Sequence, residues 1–214
     1  MEHLPQLILI VVILSGLYIL GSPMLTSCIR MSALQGMALG LLPVALYPYE
    51  LSLHIVLIAI GMIAIKGFLI PHFLYRAIRD TALRKEMEPL IGFNLSVVLG
   101  MVLIAFSFGI STKLPLPQGL PSSLLVPAAL STLMMGLLII ISRVKLLTQA
   151  VGYLIVENGI FIFGLTLSEA MPELIEMGVL LDIFVGVFIM GVVIHHINQM
   201  FGSLSSHRLS ALKE

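Results

Sequence analysis

Long apolar runs alternate along this chain with short joints rich in proline, glycine and charge. Seven runs stand out, at about residues 5–22, 31–47, 51–71, 90–110, 122–141, 148–167 and 173–197. A ~30 Å hydrocarbon core needs roughly 20 apolar residues per helix, so each run predicts one membrane-spanning helix. The joints are Gly21-Ser22-Pro23, Pro43 to Pro48, Pro71, Pro89, the loop from Lys113 to Pro121, and Pro172. Pro43 and Pro48 crowd the exit of the second run and blur its end.

The resulting fold class is an all-α integral membrane protein, one membrane domain over 1–214. The helices group as three, one and three: a unit over 1–89, a linker helix and loop over 90–121, and a second unit over 122–214. Arg30 and Lys145 each follow the first helix of a triplet, and Lys66 and Asp182 each lie in the third. This spacing suggests a parallel repeat of about 115 residues, an architecture used by transport proteins. Composition agrees with the class, because 59% of the 214 residues are hydrophobic and 10% are charged, against about 25% charged in soluble domains.

Charge adds an orientation. With seven spans, one side carries Arg30, Arg76, Arg79, Arg84, Lys85, Arg143, Lys145, Arg208 and Lys213, and the other carries Lys113 with Glu2, Glu50, Glu169 and Glu173. The positive-inside rule then places the N-terminus outside and the C-terminus in the cytoplasm. The start, Met1-Glu2-His3-Leu4-Pro5, lacks a basic leader, so the first span is expected to be retained. A formal net charge of zero offers no electrostatic case for nucleic acid. The one cysteine, Cys28, rules out an internal disulfide or a cysteine-ligated cluster and reads as a small apolar filler.

Against this apolar background two carboxylates inside the last two runs are the candidates for chemistry. A charge near the bilayer centre costs at least about 2.5 to 3.5 kcal/mol, so Glu157 and Asp182 are expected to face a bundle interior or an ion path. Glu157 lies roughly 13 Å deep, counted at 1.5 Å per residue from the cytoplasmic end of its run. Asn158 and Gly159 follow it; the amide offers a hydrogen bond and the glycine permits close helix approach. The alternative for both acids is a neutral carboxyl that bonds a neighbouring helix. Lys66, five residues before Pro71, is the third candidate. Either its stem reaches the interface, or it serves as a proton carrier or field partner to the acids. Glu176 reads as interfacial, and His72 and His195 as helix-end groups at a proton entry. No histidine and cysteine spacing suits a metal, and no phosphate loop or nucleophile elbow suggests catalysis in this chain.

The segments Gly152-Tyr-Leu-Ile-Val-Glu-Asn-Gly159, Met171-Pro-Glu-Leu-Ile-Glu-Met-Gly178 and Leu181-Asp182, with the tail Leu204 to Lys213, resemble hydrogenase-4 component E, a membrane subunit of formate hydrogenlyase and related [NiFe]-hydrogenase complexes. The last 70 residues or so are also similar to the three-helix NuoK-type subunit of respiratory complex I. Its two glutamates fall on Glu157 and, one methylene shorter, on Asp182. In the first half Gln35 falls short of the depth of Glu157, and Lys66 stands where the third-helix acid would be. The resemblance implies a bacterial or archaeal cytoplasmic membrane and a place beside antiporter-like and quinone-site-like membrane subunits and a peripheral hydrogenase arm. It also implies that iron–sulfur clusters and the nickel–iron centre reside in those partners, that this chain holds no cofactor, and that its acids pass or gate protons or sodium ions. Two other readings stay open on the residues alone. One is a stand-alone seven-helix transporter with three-helix repeats, which the Pro5-Gln6 and Pro117-Gln118 pairs would suit. The other is a purely structural spacer.

Overall fold

A computed structural model describes residues 3–47, 53–80, 90–114 and 122–166, together with Gly186 and Gly191. Its elements are helices: α1 (His3–Gly21), α2 (Leu25–Leu46), α3 (Leu53–Met62), a π-helical stretch (Ile63–Leu69), α4 (Ile70–Asp80), α5 (Phe93–Ser111), α6 (Leu125–Ser142) and α7 (Leu146–Thr166). Among the described residues six helical spans are long and apolar enough to cross a membrane, the third running Ile55–Ile78 through the π-helical stretch. The chain is thus a multi-pass membrane protein. The seventh predicted span, 173–197, lies outside the described residues.

Two boundaries differ from the hydropathy pattern. The second helix begins at Leu25, several residues before the apolar run, because the polar Ser27 and Arg30 sit within its first turns. The third span does not stop at Pro71. The backbone N–H of Ile70 bonds to the carbonyl of Ile65, a π-type i→i−5 bond. That wider turn meets the proline, which has no N–H and crowds the carbonyl four residues back. The helix therefore continues to Asp80.

Small residues set how the helices meet. A Cβ on Gly136 would lie 2.5 Å from the Val156 nitrogen, and one on Gly159 would lie 2.6 Å from the Leu133 nitrogen. The backbones of α6 and α7 therefore touch, the usual means of association where lipid removes the hydrophobic drive between helices. The buried residues of α5 are Ser96, Gly100, Ser107 and Ser111, while Val98, Val102 and Phe106 face outward. The outward face is apolar, as a lipid-facing or subunit-facing helix requires. The core itself lies where α1, α2, α6 and α7 meet, around Leu9, Ile19, Leu39, Met135, Val151 and Ile155.

A buried polar chain as the candidate functional site

Glu157 and Asn158 stand on α7, Gln35 on α2 and Lys66 at the centre of the π-helical stretch. All four are buried, at 3%, 1%, 0% and 5% exposure respectively. Lys66 Nζ donates to Asn158 Oδ1 at 2.8 Å, and its distance to Glu157 Oε1 is 3.9 Å. Asn158 Nδ2 donates to Gln35 Oε1 at 3.1 Å. Gln35 Nε2 donates in turn to the Val12 carbonyl of α1 at 2.9 Å. One polar chain thus crosses α1, α2, α7 and the π-helical stretch. Its members are spread from residue 12 to residue 158.

Local sequence explains the convergence. Gly36 follows Gln35, and a Cβ there would lie 2.5 Å from the Cβ of Lys66. Only a glycine lets α2 pass that close to the π-helical backbone and bring the lysine stem inside. The Phe161 ring on α7 lies 5.9 Å from the ammonium, within reach of a cation–π attraction. The Asn158 oxygen, the Glu157 carboxylate and the Phe161 ring face each suit a cation. A cation and a carboxylate taken out of water together need such neighbours, since desolvation otherwise outweighs their attraction.

The interface-reaching reading of Lys66 is therefore not what the chain adopts: the stem turns inward, because Asn158, Glu157 and Phe161 hold its head. Gln35 is a second correction. Counted from Leu25 it lies ten residues into α2, about 15 Å, and Glu157 lies eleven residues into α7, about 16 Å. The two depths match once α2 is given its true start. His72 is exposed on α4 and packs edge-on against Phe73, outside the chain of hydrogen bonds. Asp182, Glu176 and His195 lie outside the described residues. Among the described residues no three His, Cys, Asp or Glu side chains converge as metal ligands would.

A second buried cation was missed by reading it as a loop charge. Arg143, 1% exposed, caps the end of α6. Its guanidinium donates to the Leu20 carbonyl at 2.8 Å and to the Ile91 carbonyl at 3.4 Å, and its Cζ stands 4.7 Å from the centre of the Phe93 ring. Burial lowers the guanidinium's pKa from its ordinary value, yet arginine stays charged at any physiological pH. Leu20 is in the last turn of α1, where carbonyls lack intrahelical partners and a cation is favoured. A short turn between two spans that opens on an arginine, here Arg143-Val144-Lys145, is the sequence signal that marks such a residue.

The chain is 26% identical over 205 residues to an uncharacterized protein of Mycobacterium tuberculosis, covering 94% of this chain and 92% of that protein. It is 31% identical over 150 residues to hydrogenase-4 component E of Escherichia coli strain K12, covering 69% of this chain and 68% of that protein. The same figures hold for hydrogenase-4 component E of Shigella flexneri. No family model and no solved structure matches the chain. With nearly a third of its residues identical across two thirds of both proteins, the chain belongs to the hydrogenase-4 component E family.

Proposed function

We propose that this chain is a membrane subunit of a complex I-like hydrogenase or formate hydrogenlyase in the cytoplasmic membrane. In this reading it supplies part of a buried charged axis for moving protons or sodium ions. The observation that carries the reading is the buried ammonium–carboxylate pair of Lys66 and Glu157, 3.9 Å apart. A fold that only needed mass in the membrane gains little from two ionisable groups at that depth, and such groups mark ion paths by default. Membership of the hydrogenase-4 component E family supports a place within a multisubunit hydrogenase. The redox chemistry would then belong to partner subunits that hold the nickel–iron centre and iron–sulfur clusters. The neighbours within the bilayer would be antiporter-like and quinone-site-like subunits.

Asp182 enters the proposal as a third member of the axis. Its support is its place in the sequence, a carboxylate within the apolar run 173–197, where a charge is costly and usually faces an ion path. The second half would form a NuoK-like unit, with His72, His195 and Glu176 as accessory groups toward the surfaces. The N-terminus would lie outside and the C-terminus in the cytoplasm.

The test is Glu157→Gln in the intact complex in inverted membrane vesicles. Hydrogenase turnover with an artificial electron carrier should persist, while ions moved per turnover should fall. Unchanged translocation per turnover would leave Glu157 a hydrogen-bonding spacer residue.

A further inference from the structure

The polar chain has a direction, which the ion pair alone does not explain. One end is the Val12 carbonyl, which can only accept. It also accepts from Ser15 Oγ at 2.7 Å, so it draws donors from two elements. The other end is the Lys66 ammonium, which can only donate. Two amides strung between an acceptor-only end and a donor-only end can be oriented in a single way. Gln35 must turn its nitrogen to Val12, which leaves its oxygen for the Asn158 nitrogen and turns the Asn158 oxygen to Lys66. The orientation thus follows from donor and acceptor chemistry at both ends, where an isolated amide would leave it open.

We propose that Gln35 is a positioning residue, which acts through Asn158 to keep the amide oxygen, and not the nitrogen, turned to the Lys66 ammonium. Amides that donate from nitrogen and accept at oxygen relay orientation without passing a proton. This branch therefore anchors the lysine, and the mobile ion would leave by way of Glu157. The inference rests on the ion-axis reading above.

Gln35→Met and Gln35→Glu in the assembled complex decide it. Methionine fills a similar volume without an acceptor, whereas Gln35→Glu, buried as the neutral acid, donates its O–H to the Val12 carbonyl and still accepts from Asn158 Nδ2. A space-filling role predicts that methionine is tolerated better than a buried acid. The positioning role predicts the reverse: ions moved per turnover fall roughly tenfold in Gln35→Met, the scale of one lost hydrogen bond felt by a charge, and largely persist in Gln35→Glu. In an Asn158→Leu background the Gln35→Met change should then add nothing. Should Gln35→Met fail to assemble, Gln35→Asn keeps the test alive. It is polar but one methylene too short to span both bonds, and it should show the same loss. Methionine or asparagine tolerated as well as glutamate overturns the proposal. Glu157→Gln is measured alongside. No effect there sinks the ion-axis reading, while an effect there with none in Gln35→Met or Gln35→Asn sinks this inference alone.

Discussion

Arg143 and Lys66 are both buried cations in an apolar bundle, and their partners differ in kind. Arg143 is held by the backbone carbonyls of Leu20 and Ile91 and by the face of Phe93. None of these can change charge, so the arginine ties the end of α1 to the segments before α5 and after α6 permanently. Lys66 is held by side chains that can rotate or titrate, Asn158 and Glu157, on a π-helical stretch rather than a regular helix. Mid-helix π turns recur at functional sites. On the proposed ion-axis reading, the contrast separates a fastener from a working group within one fold.

The largest expected effect comes from removing one member of the titratable pair. Lys66→Met should lower stability by about 3 to 5 kcal/mol, because it takes the cation away from a buried carboxylate. Adding Glu157→Gln should restore most of that loss, and thermal unfolding of the detergent-solubilised complex compares the two variants. Next comes Arg143→Lys. Lysine cannot fork between two carbonyls or lie flat on Phe93, and a loss on the order of 2 to 3 kcal/mol is expected. Complexes that do assemble should keep normal ion translocation per turnover, which is how the fastener is told from the working group. Gly36→Ala should then cost about 1 to 3 kcal/mol through overpacking against Lys66, with translocation reduced as the lysine shifts. Gly109→Ala has open space around the added methyl and should be neutral or stabilising by up to about 1 kcal/mol, measured in the same unfolding assay.

Hydropathy alone located all six described spans and singled out Glu157, Asn158 and Lys66, because a charge or amide in an apolar run is conspicuous along the chain. It misjudged Gln35 for a local reason. The polar first turns of α2 hid where the helix starts, and depth counted from the wrong end separated residues that touch. It misjudged Pro71 because proline normally breaks a regular helix, and no feature of single residues announces a π turn before it. Arg143 was taken for a loop charge because its partners are backbone atoms of Leu20 and Ile91, far off in the chain and silent in any side-chain pattern. The pairing of Lys66 with Glu157 and Asn158 joins positions about ninety residues apart, which periodicity cannot reach.

The central claim, that the Lys66–Glu157 pair serves ion movement rather than stability, is tested most directly by ions moved per hydrogenase turnover in vesicles carrying the Lys66→Met/Glu157→Gln double variant. The neutral pair is expected to assemble, to sustain turnover with an artificial carrier, and to lose most translocation. Translocation per turnover equal to the unsubstituted complex would contradict the account and leave the pair a fastener like Arg143.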